Sequence, residues 1–397
     1  MKPRLRAGRT TRTTVAGVGL AGVAATALVL AGAGIGWADY GPQPGDVVGV
    51  GGDSAQYALQ FLADGDYNGD AGFNATGDYN RLVTFNATAD ANGSAFTSSV
   101  GTGTAAVPLD PTVVLRAGMY PVQRISSDAA AFDALLADSK EVINFIFTSS
   151  LPTSAQQTQA SDAGWQYLHV VEIGTDSIGI AVDQASTNVP SGGLSLKELL
   201  SIYDGTFTRW NQLPGNSGGS SDTIAPLLPP KSSSVYQTFM ADLTAANGGT
   251  APTLGDVQTV DANDPAAITD YTTPADAIMP FSAGLLALWN DGYFRNPATA
   301  FPGSTTPLTA GVTILPGTGT AGDGNPAYSS PITDYVIFRQ SDASSTTPME
   351  PGGTRNWVQT LFSDPGGPEP FAETSAGQAL IAAAGITPDY ADLGDVT

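Results

Sequence analysis

The chain has 397 residues, with 15 Lys+Arg against 37 Asp+Glu, one His and no Cys. Such an excess of acid argues against nucleic acid and anionic membrane surfaces as partners. The missing cysteine excludes disulfides and a cysteine-linked lipid anchor.

Residues 1–38 read as an export signal. Met1–Arg12 carries Lys2, Arg4, Arg6, Arg9 and Arg12 without an acid, and 15–34 is nearly all Ala, Val, Leu and Gly. Gly36-Trp37-Ala38 presents small residues where a signal peptidase reads, which places cleavage after Ala38. An uncleaved signal anchor is the alternative, because the apolar run approaches a spanning length. Basic flanking charge puts the N-terminus inside in either case. The remaining 359 residues hold ten bases against 37 acids, a net charge of −27. That size suits two lobes.

Val47–Val50 is short and β-branched and predicts a buried strand; Gly51-Gly52-Asp53-Ser54 turns it into a helix over Ala55–Ala63. Leu82–Ala87 predicts a strand, Ala129–Asp138 a helix, and Val142–Phe147 a strand. His169–Glu172 and Ser177–Val182 predict two more strands. Composition shifts near Asp183. Leu194–Tyr203 predicts a helix with Ser195 as N-cap and Glu198 at the capping-box position. Ile224–Leu228 is a strand that meets Pro229-Pro230-Lys231, then Ser232-Ser233-Ser234 and a further helix. Ala277–Pro280 and Ser282–Trp289 return as strand and helix, and Pro302–Pro331 as loop and edge structure. Tyr335–Arg339 predicts a strand; Asn356–Phe362 and Thr374–Ala384 predict the last helices. Strands alternating with helices favour an α/β sheet.

Four strand-to-helix corners share one composition: Gly52-Asp53-Ser54, Ser126-Ser127, Thr148-Ser149-Ser150 and Ser232-Ser233-Ser234. Amides at a helix start have no partner within the helix, and serine adds small hydroxyl donors beside them. In open α/β sheets the ligand crevice lies beyond the carboxyl ends of the strands. Four hydroxyl-bearing corners at that edge can converge on one polar ligand; the alternative is four unrelated helix caps. Asp64, Asp66, Asn68 and Asp70 match the start of a calcium loop, but Ala75 stands where a bidentate Glu is needed. An Asx-rich turn is the simpler reading there. Catalysis has little support. His169 sits in an apolar run as a packed side chain, Asp176 and Glu198 read as surface or capping residues, and no Ser-x-x-Lys motif or His-bearing metal cluster is present.

The chain resembles secreted substrate-binding proteins of the phosphate-uptake ABC-transporter type, in their divergent actinobacterial form. The match is carried by residues 48–57, by 194–203 with Trp210-Asn211-Gln212, by 224–239 and by 276–284. The resemblance implies a two-lobed type II periplasmic-binding-protein fold, with 39–182 plus 276–397 as the first lobe and 183–275 as the second. It implies a hinge near Val182 and Asp276 and a small polar or anionic solute, phosphate or another oxyanion, held between the lobes for an ABC permease. The carried-over ligand loops are Gly52–Ser54, Ser126 and Ser127, Thr148–Ser150 and Ser232–Ser234, with Arg124 or Lys231 supplying positive charge. The family places an arginine where Pro229 stands and an aspartate where Ser150 stands. Without an arginine fork a dianion loses its best partner. No cofactor is expected, and the chain is expected to be monomeric. A ligand-free interaction protein on the same fold and a weak phosphate-ester hydrolase are the alternatives.

Overall fold

The computed structural model describes residues 41–76, 80–87, 112–294, 310–315, 319–350 and 352–396. The export segment expected over 1–38, and part of the expected Pro302–Pro331 loop, lie outside them. The described residues belong to one compact unit, Ala38–Thr397. Within it the strands are β1 (Val47–Gly51), β2 (Leu82–Phe85), β3 (Thr112–Val113), β4 (Val122–Gln123), β5 (Phe145–Thr148), β6 (Leu168–Asp183), β7 (Ala225–Leu228), β8 (Gln258–Thr259), β9 (Ala277–Ser282), β10 (Val312–Ile314), β11 (Ser330–Arg339) and β12 (Thr387–Gly394). The helices are α1 (Gln56–Asp64), α2 (Asp128–Ala137), α3 (Ser154–Asp162), α4 (Leu196–Tyr203), α5 (Ser234–Ala246), α6 (Ala266–Thr269), α7 (Ala283–Asn290), α8 (Gln340–Ala343), α9 (Trp357–Leu361) and α10 (Ser375–Ala383).

The fold is α/β. One sheet runs β2-β1-β5-β11-β6-β9-β7-β8, with β10 and β12 also joined to β6, while β3 and β4 form a separate ribbon. Its two ends are parallel: β1 pairs with β2 and β5, and β7 with β8 and β9. The middle is an antiparallel seam, where β11 lies between β5 and β6 and β6 pairs with β9. Parallel pairs need long crossovers, and helices supply them.

Where the sequence pattern predicts two strands, the structure has the single 16-residue strand β6. Gly174-Thr175-Asp176 breaks the apolar pattern but not the hydrogen-bond ladder, because this stretch pairs with Asp334, Thr333 and Ile332 of β11. Thr175 and Gly174 also pair with Thr387 and Pro388 of β12. The capping box at Ser195 and Glu198 forms as expected, fixing the start of α4. Helix α3 was not expected, since its sequence SAQQTQASD lacks an apolar stripe; the capping box of Thr153 and Gln156 starts it.

Strand side chains alternate between the two faces of the sheet. Phe145, Phe147, Val171, Ile173, Met279, Phe281, Val336 and Phe338 share one continuous core on the first face. On the other face the core is split. Val48, Val50, Ile146, Val170 and Ile337 pack with α2, whereas Ile178, Ile180, Val182, Leu228 and Ile278 pack with α4 and α5. Tyr328 and Ile332 belong to the second of these clusters. Each fully buried side chain of this kind contributes about 1.5–3 kcal/mol. Along β6 the same-parity positions between the two clusters are Glu172, Gly174 and Asp176, and on β11 Asp334 stands between Ile332 and a register shift at Tyr335. The split face is interrupted by acid where the two halves of the sheet meet.

Candidate functional site

The carboxyl ends of β1, β5 and β7 lead into three of the four serine-bearing corners, and Ser126 and Ser127 precede α2. Gly52 donates its amide to the Phe147 carbonyl at 3.0 Å, which ties the first corner to the third. A Cβ on Gly52 would stand 2.1 Å from Asp128 Oδ1 and 3.5 Å from Ser234 Oγ. The first, third and last corners and the start of α2 therefore meet at Gly52.

Their donors face carboxylates of the chain itself. Ser149 N, Ser149 Oγ and Ser150 Oγ donate to a single oxygen, Asp128 Oδ2, at 2.9, 2.8 and 2.9 Å. Ser233 Oγ donates to Asp53 Oδ2 at 2.7 Å and Ser234 N to Asp53 Oδ1 at 2.9 Å. Asp53 thus takes the amide at the start of the 13-residue helix α5, where a helix end favours negative charge. Thr148 Oγ1 donates to the Ser150 carbonyl at 2.8 Å and so braces its own corner.

Behind these two carboxylates lie two more. Asp176 is buried and accepts from Ser282 Oγ and, at 2.9 Å, from Gly284 N at the start of α7. The capping reading of Asp176 holds and the surface reading does not. Asp334 has no exposed surface, and neither of its carboxyl oxygens has a hydrogen-bond partner of normal geometry. Burial holds the Asp334 carboxyl well above the usual carboxylate range, and the charges of Asp176, Asp128 and Asp53 act in the same direction. Burial also raises Asp128 and Asp176, against the downward pull of their hydrogen bonds. Among the described residues none of the four is ion-paired with a base. Asp53, Ser54, Tyr57, Asp176, Asn263 and Ser282 line part of a cavity of about 10 Å³, room for about one water.

The remaining candidates fall outside this cluster. Ser127 caps α2 by accepting from Ala130 N at 3.2 Å, and Ser126 is exposed. Arg124 is buried and donates to the Asn86 carbonyl at 3.0 Å. Lys231 and Ser232 are exposed. The acids of the calcium alternative are engaged within and beside their own loop. Asp64 is bound by Arg81 and Asn74, and Asp66 Oδ1 accepts the amides of Asn68, Gly69 and Asp70. Among the described residues no group of three acids or histidines is disposed to take a metal. His169 is packed as expected, stacked on Phe338 with ring centroids 4.7 Å apart and bracketed by Gln340 and Asp392 at 2.6 Å.

Sequence reasoning found the corners, Asp53 among them, but not the meeting of Asp53 with Asp128, Asp176 and Asp334. Asp128 directly follows Ser127 and precedes the helix expected over Ala129–Asp138; the structure makes it the first residue of α2. The resemblance expects a carboxylate at the third corner, where Ser150 stands; Asp128 brings one there from the neighbouring corner. Asp334 stands just before the strand expected over Tyr335–Arg339 and gave no signal of its own; the structure extends that strand back to Ser330.

No curated protein matches the chain. Among solved structures it is similar to an ABC-type phosphate transport receptor from Vibrio cholerae, at 14% identity and a TM-score of 0.47, covering 87% of this chain and 100% of that one. It is also similar to a putative phosphate ABC transporter substrate-binding protein with bound phosphate from Clostridium perfringens, at 13% identity and a TM-score of 0.48, covering 87% and 99%. The family model described as the PBP superfamily domain matches residues 124–340. That stretch is more than half the chain and includes three of the four corners as well as Asp128, Asp176 and Asp334, and the chain belongs to the PBP superfamily.

Proposed function

We propose that this protein is an extracellular solute-binding protein that captures phosphate or another small polar oxyanion for ABC import. The observation that carries the reading is the third corner, where three donors from two adjacent residues converge on one carboxylate oxygen within 2.9 Å. A carboxylate oxygen is chemically a stand-in for an oxygen of a solute oxyanion. Ser233 and Ser234 hold a second carboxylate in bidentate fashion. Each such donor contributes about 0.5–1.5 kcal/mol net, and more to a charged acceptor. Five together are sufficient for micromolar capture, about −8 kcal/mol. The lobes are 39–182 plus 276–397 and 183–275, and closure near Val182 and Asp276 encloses the solute. The protein acts as a monomer without catalysing a reaction, and it delivers the solute to a membrane permease. The basic, apolar residues 1–38 direct export, with cleavage after Ala38. Among the described residues no helix is long and apolar enough to cross a membrane.

Isothermal titration with phosphate, sulfate and a neutral polar solute tests the reading. Heat with an oxyanion that is lost in Ser234→Trp supports it, and absence of heat with all three counts against it. The filled corners favour one second reading, a surface protein whose crevice has been given over to internal contacts. Recovery of a protein partner together with silence in every titration favours that reading.

A further inference from the structure

The donors suited to an anion are already in use. Asp53 and Asp128 reach them from other segments of the chain: 180 positions separate Asp53 from Ser233, and 21 separate Asp128 from Ser149. The two carboxylates differ from ordinary helix caps in what surrounds them. Asp128 Oδ1 is buried without a hydrogen-bond partner and stands where a Gly52 side chain would be, beside Ser234 Oγ. Asp334, also buried and without a partner of normal geometry, and Asp176 add two further carboxyls, and Tyr57 is the other titratable group lining the adjoining cavity. A structural cap has no need of an orphaned oxygen beside three other acids, and an unsatisfied buried oxygen is costly.

We propose that the Asp53 and Asp128 carboxylates are built-in competitors for the crevice's anion, seated in the serine corners until a solute oxyanion displaces them. The inference rests on the capture reading above and names the regulation of that same site. An entering anion takes over Ser149 N, Ser149 Oγ and Ser150 Oγ from Asp128, and Ser233 Oγ and Ser234 N from Asp53. Each displaced carboxylate must turn away or gain a proton, since like charges at close range in a buried site are strongly unfavourable. Resident carboxylates keep the empty crevice closed on itself and set a threshold for the solute. They also keep the donors of the empty crevice hydrogen-bonded.

The test is titration of inorganic phosphate into the full exported chain and into Asp53→Asn, Asp128→Asn and the double variant, each first checked for a cooperative melt. Asparagine keeps the shape and an accepting oxygen but not the charge. The expected result is phosphate binding at least about tenfold tighter in Asp128→Asn than in the parent, and tighter again in the double variant. Parent binding with equal or weaker binding in every variant overturns the proposal and leaves the capture reading standing. Absence of phosphate binding in parent and variants alike removes the capture reading itself. A parent structure determined with phosphate gives an answer independent of the variants. The Ser149–Asp128 and Ser233–Asp53 hydrogen bonds should be broken in it, and phosphate seated in the crevice with both bonds intact overturns the proposal.

Discussion

Two wholly buried charged residues lie five positions apart on β11, and the fold treats them in opposite ways. Arg339 donates to the carbonyls of Ile143, Leu135 and Asp138 and to the Asp138 carboxylate, and its guanidinium lies 4.7 Å from the ring centre of Trp165. Among the described residues Asp334 has no ion-paired base, and the groups that act on its carboxyl are Asp176, Asp128, Asp53 and Ser54. A buried charge is tolerated when partners replace its water, and it is costly when they do not. The Arg339 end of the strand is built for stability. The Asp334 end carries a local conflict of the kind that folds retain at functional sites.

Four substitutions probe that contrast. Arg339→Met should be the most damaging, costing about 3–5 kcal/mol in urea unfolding, because the Asp138 carboxylate and three carbonyls lose their donor. A loss under about 1 kcal/mol would mean that the node is not the anchor its geometry implies.

Gly52→Ala comes next. Its methyl group would meet Asp128 Oδ1 at 2.1 Å, an overpacking cost of about 1–3 kcal/mol. Stability should fall, and an unchanged melt would show that Asp128 moves aside freely.

Asp334→Asn should have the opposite sign. A carboxyl whose folded value is raised binds its proton more tightly in the folded state. Its stabilising contribution is therefore complete below the ordinary value of 3.8 and is lost as pH rises through the folded value. Asp264 and Asp342, each pushed up to about 6 mainly by burial, act in the same direction. The parent should therefore melt at a higher temperature near pH 5 than near pH 8. Asp334→Asn should gain about 1 kcal/mol or more at pH 8, gain less near pH 5 and nothing below the ordinary value of 3.8, and flatten the profile. A variant less stable than the parent at pH 8 would remove the unpaired-acid account of this end of β11.

The smallest effect is expected at the surface. Asp64→Ala breaks the 2.9 Å pair with Arg81, in which both side chains are substantially exposed. Less than about 1 kcal/mol should be lost, and less still at high salt.

What was legible in the sequence follows the same division. The strand and helix order, the corner at Gly52 and the capping box of Ser195 and Glu198 could be read because each is set by residues close in sequence; His169 could be read as packed from the apolar run around it, although its partners are distant. The continuity of β6 was hidden because Gly174-Thr175-Asp176 is held by partners on β11 and β12, far away in sequence. The acid centre was hidden for the same reason. Asp53, Asp128, Asp176 and Asp334 each have a local explanation as a turn residue, a helix start, a cap or the residue before a strand, and only the sheet order brings them together. The serine corners were identified as donors; that their acceptors come from the same chain is a property of the fold.

The account turns on whether solute oxygens use the donors at Ser149 and Ser234. The most direct measurement is an amide-resolved NMR titration of the parent protein with phosphate. The Ser149 and Ser234 amide resonances should shift together, saturably and more than those of the exposed Ser126 and Ser232. Saturable phosphate binding that leaves both amides unmoved would contradict the account.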